Sequence, residues 1–195
     1  MNKMRNIFLA LSVTVLPLVC VAQVEQETLY TDLKAALAQP ENVVRLKLSR
    51  EKLKRVPPEV FLFPNLQELD LSKNKIEEIT DSIGLLVNLV SLNLSNNKIT
   101  ELPPSIGKLI NLKTLYAARN DIETLPPEIG NLQSLEFLNL WDCNLQSLPD
   151  ELGNLTNLKE LELRGILFSE AEHERLKKLL PNAKVNLSPT CQCEF

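Results

Sequence analysis

Hydrophobic residues recur along this chain with a period of 23 residues, beginning at Val43. Each repeat has leucine-like residues at its positions 1, 4, 6 and 11, and the second, third and fourth repeats have asparagine at position 9. The third repeat reads LVSLNLSNNKITELPPSIGKLIN. A constant period of this length is typical of a solenoid built from stacked repeats. The six repeats begin at Val43, Leu66, Leu89, Leu112, Leu135 and Leu158.

Positions 4 and 6 of each repeat predict a short β-strand. A spacing of two residues places both side chains on one face of a strand and turns the residue between them towards solvent. Position 4 is leucine in all six repeats, and position 6 departs from leucine only at Ala117. Each repeat therefore contributes one strand to a parallel sheet.

Asparagine side chains follow the predicted strands at Asn74, Asn97 and Asn120. A side-chain amide at this turn can pair with backbone groups that the departing chain leaves without partners, which are costly when buried. We therefore predict a structural ladder of these amides. Cys143 takes the same place in the fifth repeat, where we expect a buried structural thiol.

This template resembles the leucine-rich repeat family in its 23-residue form, with a Leu-Pro-x-x-Ile-Gly return segment, over residues 43 to about 187. The resemblance implies an α/β solenoid, namely a leucine-rich repeat horseshoe with a parallel concave β-sheet. It also implies a binding scaffold rather than an enzyme. This sequence differs from the family template at Glu51 and Ile166, which occupy position 9 of the first and sixth repeats in place of asparagine. If Val185 and Leu187 form the next inward pair, the last interval is 24 residues.

Both ends of a repeat stack need closing, because the terminal leucines would otherwise be exposed. Before the first repeat, residues with helical spacing precede the helix-stopping Pro40, and they are Leu29, Leu33, Ala36 and Leu37. We expect a helical N-terminal cap over residues 23–42 and the repeats over residues 43–168.

After the sixth repeat, Ser169 and Glu172 have the spacing of a capping box. Leu176, Leu179 and Leu180 then form an apolar stripe. These residues predict a helical C-terminal cap over residues 169–187, closed by a last strand and followed by a tail over residues 188–195.

The N-terminus has the features of a secretory signal peptide over residues 1–22. Lys3 and Arg5 precede an uncharged apolar run at residues 7–19, which is shorter than the ~20 residues that a membrane span needs. An uncleaved membrane anchor and a lipid-modified Cys20 are the alternatives. After residue 22 no run is apolar enough to span a membrane. The mature chain would carry a net charge of about −6, which argues against a nucleic-acid partner.

Residues that could support catalysis or bind a metal ion are few. His173 has charged neighbours, and we interpret it as part of a solvated helix face. Cys191 and Cys193 lie in the polar tail, and one intervening residue would make a strained disulfide loop. No ligand cluster or glycine-rich phosphate loop is present, so we expect neither a cofactor nor a metal ion.

The predicted outward face of the sheet changes character in its later strands. The early strands carry small or charged residues there, whereas the fourth and fifth carry aromatic residues, including the only tryptophan. Trp, Tyr and Arg are over-represented at interface hot spots. We predict that the partner-binding surface and its charged margin consist of Tyr116, Arg119, Phe137, Asn139, Trp141, Asp142, Glu160, Glu162 and Arg164.

These features predict a bacterial, secreted or periplasmic protein-protein interaction scaffold that binds a macromolecular partner on its concave face. A second hypothesis is a structural envelope or adhesion protein that self-associates, for example as a homodimer. A third is an effector fragment without its catalytic domain, which the eight residues after Leu187 make less attractive.

Overall fold

Eight short strands pair in chain order into one open parallel sheet. The computed structural model describes residues 28–189. Each repeat supplies one strand, as the hydrophobic pattern predicts. The strands are β1 (Leu29–Tyr30), β2 (Arg45–Lys47), β3 (Glu68–Asp70), β4 (Ser91–Asn93), β5 (Thr114–Tyr116), β6 (Phe137–Asn139), β7 (Glu160–Leu163) and β8 (Lys184–Leu187).

The strand register follows the sequence period. From β2 to β7, each residue pairs with the residue 23 positions later, as Leu69 does with Leu92. The last pair is offset by 24, with Leu161 opposite Val185, so the predicted extra residue of the final interval is confirmed. The constant offset places equivalent side chains of successive repeats in rows across the sheet. The architecture is an α/β solenoid in which this sheet lines the concave side.

Short 3-10 helices form the opposite side of the solenoid. Proline starts three of the five return helices, because its fixed φ suits a helix start and its missing N–H is not needed there. The return helices are Pro58–Leu62, Asp81–Leu85, Pro104–Lys108, Pro127–Asn131 and Asp150–Asn154, and a shorter one spans Pro40–Asn42.

Gly107 explains why glycine follows isoleucine in the return segment. A Cβ atom on Gly107 would lie 2.5 Å from the carbonyl oxygen of Glu128, in the next return helix. Real Cβ atoms do not approach backbone oxygen this closely. Glycine at this position therefore lets successive return helices pack against each other.

The core lies between the sheet and the return helices. In the third repeat, Leu92 and Leu94 on the strand and Ile106 on the return helix are all fully buried. Burying such a side chain contributes roughly 1.5–3 kcal/mol. Because each repeat buries its apolar face only against its neighbours, the stack gains its stability collectively.

The asparagine side chains bond to the backbone of two repeats at once. The Nδ2 group of Asn97 donates to the carbonyl of Leu94 at 2.7 Å and to that of Leu71, one repeat earlier, at 3.1 Å. Its Oδ1 atom accepts from the N–H of Ile76 at 3.0 Å. Asn74 and Asn120 make the equivalent bonds, so the amides form a continuous ladder along the solenoid.

Cys143 continues the ladder with fewer bonds. Its thiol is a buried free cysteine and donates to the carbonyl of Ala117 at 3.4 Å, the equivalent of only one of the three bonds of Asn97. Burial raises the pKa of this thiol to about 11, so the group is protonated at neutral pH. The expectation of a buried thiol is confirmed.

The N-terminal helix is shorter than its sequence pattern suggests. Helix α1 spans Leu33–Leu37, and the side chain of Asp32 caps it by accepting from the N–H of Lys34 at 2.7 Å. The inclusion of Leu29 in the helical stripe is wrong, because Leu29 belongs to β1 and pairs with Arg45. Residues 1–27, with the predicted signal peptide and Cys20, lie outside the described residues.

The C-terminal helix follows the predicted capping box. Helix α2 spans Glu170–Leu179, and the Ser169 hydroxyl accepts from the N–H of Glu172 at 3.2 Å. The interpretation of His173 as solvated is wrong, because the side chain is only 7% exposed. It shares one helix face with Leu176, which is fully buried. The tail cysteines, Cys191 and Cys193, lie outside the described residues.

Candidate interaction surface on the concave face

The outward side chains of the sheet form two rows across the strands. In one row Phe137 lies between Thr114 and Glu160, and in the other Asn139 lies between Tyr116 and Glu162. Neighbouring strands are about 4.8 Å apart. The sheet register thus brings the predicted residues of three successive strands together.

Three aromatic side chains of this surface are open to solvent. Tyr116 and Phe137 are each 40% exposed and Trp141 is 37% exposed. The other aromatic side chains within residues 28–189 are less exposed than these three. Tyr and Trp combine a large apolar area with a polar group, and both are frequent at interfaces.

Arg119 and Asp142 sit at the turns that follow β5 and β6. Both have left-handed backbone conformations, with φ of 55° and 57°. The N–H of Arg119 donates to the carbonyl of Trp141 at 2.7 Å, and this bond fixes the two turns relative to each other. The backbone from which the two side chains project is therefore fixed.

The Arg119 side chain covers part of the tryptophan ring. Its guanidinium carbon lies 4.3 Å from the centroid of Trp141, in a cation–π contact. Its Nε atom is 3.8 Å from Oδ2 of Asp142. Both members of this ion pair are about half exposed, so water screens their attraction and the pair adds little stability. Its geometric effect is to keep the guanidinium beside Trp141.

Asn139 uses its side chain to position the next turn. Its Oδ1 atom accepts from the N–H of Trp141 at 3.0 Å. Asn93 makes the same bond to the N–H of Ser95, also at 3.0 Å. Tyr116 occupies the equivalent position of the intervening repeat and has no oxygen that can make this short-range bond. Asn139 therefore orients Trp141, a role that the sequence alone did not reveal.

The charged margin of the surface is internally paired. Glu162 is only 9% exposed, and its Oε1 atom accepts from Nε of Arg164 at 2.8 Å. This bond lowers the pKa of Glu162, despite the opposing effect of burial. Hydrogen bonds from Asn186 and Lys184 lower the pKa of Glu160 in the same way. Both carboxylates are therefore ionised and largely compensated at neutral pH.

A second group of exposed apolar residues lies on the return side of the early repeats and was missed in the sequence. Leu62 and Leu85 share one repeat position and are 62% and 66% exposed, while Val87 and Ile110 share another and are 47% and 56% exposed. Polar residues occupy both positions in the later repeats, as at Asn131 and Gln133. That change within equivalent positions is the signal that could have revealed these residues.

Metal binding and membrane spanning find no support in residues 28–189. No group of three or more potential ligand residues that could hold a metal ion occurs in that range. Within the same residues, no helix combines the length and apolar character needed to cross a bilayer.

The repeats of this chain match a known family. Residues 43–188 fit the sequence profile described as a leucine-rich repeat region. The chain belongs to the leucine-rich repeat family. This family commonly mediates protein-protein interactions and is typically non-enzymatic. A comparison with curated proteins finds no significant match.

Solved leucine-rich repeat structures share the fold. An LRR protein of Leptospira interrogans is 33% identical, with a TM-score of 0.70 over 84% of this chain and 47% of its own. The ectodomain of the Arabidopsis thaliana receptor kinase GASSHO1/SCHENGEN3, in complex with Casparian strip integrity factor 2, is 29% identical. Its TM-score is 0.60 over 74% of this chain and 18% of its own.

A third structure shows the fold alone. An internalin of Listeria monocytogenes is 21% identical, with a TM-score of 0.60 over 82% of this chain and 52% of its own. The chain thus spans about half the length of the two bacterial proteins.

Proposed function

We propose that this leucine-rich repeat protein acts in a secreted or periplasmic setting and captures a protein partner on its concave face. The observation that carries the proposal is the grouping of the exposed rings of Tyr116, Phe137 and Trp141 at strands β5 and β6 and the turn that follows. Large apolar side chains gain free energy when a partner removes them from water. An exposed aromatic group flanked by polar residues is the usual composition of a hot spot.

The rigidity of this surface favours binding. Asn139 and the stacked turns fix the backbone at Trp141, and Arg119 restricts the ring. Association is opposed by the loss of side-chain and loop freedom, about 0.5–1.5 kcal/mol for each flexible side chain that becomes ordered. Groups that are already fixed lose less, so more of the contact energy contributes to affinity.

The proposed location rests on the N-terminal sequence. Lys3 and Arg5 followed by the apolar run at residues 7–19 favour export through a cleaved signal. Mass spectrometry of the mature N-terminus tests this. A chain that begins after residue 22 supports secretion, whereas a lipid-bearing Cys20 would indicate membrane attachment instead.

Site-specific photo-cross-linking tests the binding face. A photoreactive amino acid at Thr114, which lies beside Phe137 in the sheet, should yield a cross-linked partner in native envelope or culture-medium fractions. The same group at Asn131, on a return helix, is the matched control and should not. The Thr114 product should disappear when Tyr116 and Trp141 are replaced by alanine. Equal products from both positions would contradict a concave binding site.

A further inference from the structure

A second charged surface lies on the turns that follow strands β2, β3 and β4. Five exposed basic side chains occupy positions 8 and 10 of the first three repeats, and we call them the basic edge. They are Arg50, Lys52, Lys73, Lys75 and Lys98. The basic edge lies on the early repeats, whereas the aromatic surface lies on the later ones.

Backbone hydrogen bonds hold these turns in register. The N–H of Lys73 donates to the carbonyl of Ser95 at 2.9 Å, and the N–H of Lys98 donates to the carbonyl of Ile76 at 2.8 Å. The N–H of Lys75 bonds to the preceding repeat in the same way, also at 2.8 Å. Equivalent residues are therefore one repeat apart, about 4.8 Å where the strands pair. The charges form two short rows, one at position 8 and one at position 10.

These charges lack ion-pair partners. Within residues 28–189, none of the five has a carboxylate within 4.0 Å, whereas Arg45 and Lys47 on the same repeats pair with Glu68 and Asp70. The acidic residues within three sequence positions are Glu51, Asp70, Glu77, Glu78 and Glu101. Among the described residues, none of them forms an ion pair with the five basic side chains, and Asp70 pairs with Lys47 instead.

The accumulation of positive charge is local. The whole chain has a net charge of −4. The equivalent turn positions of the fifth repeat hold Asp142 and Asn144, so the repeat template does not require basic residues there. Like charges placed together repel one another and do not help the fold. An anionic ligand would supply the missing compensation.

The side-chain types indicate the class of ligand. Four of the five are lysines, which act as point charges without the bidentate geometry that arginine offers to a single phosphate or carboxylate. Among the described residues, no exposed aromatic or large apolar side chain lies at positions 7 to 10 of these three repeats, where it could anchor a protein hot spot or enter a bilayer. Regularly spaced point charges instead suit a flexible chain with regularly spaced anions.

We propose that the basic edge binds a linear anionic polysaccharide, whose carboxylate or sulfate groups lie along the two rows of basic side chains. Binding occurs by charge neutralisation and release of counterions. This inference is independent of the proposed protein partner, because it uses different residues on different repeats.

Calorimetric titration with a size-defined heparin dodecasaccharide tests the proposal on the mature protein. If all five side chains contact the saccharide, affinity should fall by about 100-fold between 50 and 200 mM salt, by analogy with about 0.7 ions released per contact on a single-stranded polyanion. The triple variant Lys73→Gln, Lys75→Gln, Lys98→Gln should bind at least tenfold more weakly at 50 mM salt, with a shallower salt dependence.

A matched control removes the same charge elsewhere. The variant Lys34→Gln, Lys113→Gln, Lys178→Gln neutralises three other exposed lysines and should bind within twofold of wild type. An equal loss of affinity in both triple variants would overturn the proposal. So would unchanged affinity in the variant of Lys73, Lys75 and Lys98. Stronger binding of polyglutamate, or of vesicles containing phosphatidylglycerol, through the same three lysines would also overturn the assignment to a polysaccharide.

Discussion

Replacing Cys143 with asparagine should stabilise the protein. Asn97 forms three ladder bonds with backbone groups, whereas Cys143 forms one, so the substitution restores a second donor bond and one acceptor. A typical intramolecular hydrogen bond contributes about 0.5–1.5 kcal/mol net. Two additional bonds, less the entropy lost by fixing the amide, predict a gain of about 1–2 kcal/mol.

Equilibrium urea unfolding measures this gain. Cys143→Asn should raise the unfolding midpoint without changing the slope, because the exposed area on unfolding stays the same. The reciprocal variant Asn97→Cys should lower the free energy of unfolding by a comparable amount. The reasoning is refuted if Cys143→Asn is no more stable than wild type while Asn97→Cys is clearly destabilised, because position 143 would then not be a weakened ladder position.

Three further predictions follow from the geometry. Gly107→Ala should destabilise the protein by roughly 1–3 kcal/mol in urea unfolding, because the new Cβ atom collides with the Glu128 carbonyl; an unchanged midpoint would contradict the close packing of the return helices. The Cys143 thiol has a pKa raised from 9.0 to about 11, so the unfolded chain loses this proton first and stability should fall by about 2 kcal/mol between pH 9 and 11. The Cys143→Ala variant should not show this fall in stability. If the free energies of unfolding of the variant and of the wild type change with pH in parallel, the prediction is wrong. Arg119→Ala should shift the emission of Trp141, the only tryptophan, to longer wavelength and increase its iodide quenching, whereas Lys113→Ala should not. Identical quenching in both variants would contradict the cation–π contact.

The repeat architecture could be predicted because its signal is periodic and local. A constant interval of 23 residues specifies strand order and register together, since each leucine at position 4 must lie beside its equivalent in the next repeat. The segments before and after the repeats do not have this recurring pattern. Leu29 has the spacing of a helix stripe, yet backbone pairing with Arg45 places it in β1.

The burial of His173 follows from its helical spacing and not from its charged neighbours in sequence. It lies three residues before Leu176 and seven before Leu180, and that spacing places it on the buried stripe of α2. The charged residues beside it in sequence point to other directions around the helix.

The aromatic surface could be predicted in composition but not in detail. Alternation along the strands identifies Tyr116, Phe137 and their neighbours as outward residues. The bond of Asn139 to the turn, and the pairing of Glu162 with Arg164, depend on side-chain conformations that no periodic pattern encodes. Some residues of the predicted surface are therefore candidates for contact, whereas Asn139 and Glu162 have structural partners of their own.

If the concave aromatic surface captures a protein partner, removing its aromatic rings should lower the affinity for the partner that cross-linking identifies. Calorimetry should show that replacing Tyr116 and Trp141 with alanine weakens binding by at least 2 kcal/mol, about 30-fold, with the fold intact. Leu85 and Ile110 are exposed apolar residues on the return side. Replacing both with alanine should leave the affinity within twofold of wild type. Unchanged affinity in the first variant, or a larger loss in the second, would contradict the account.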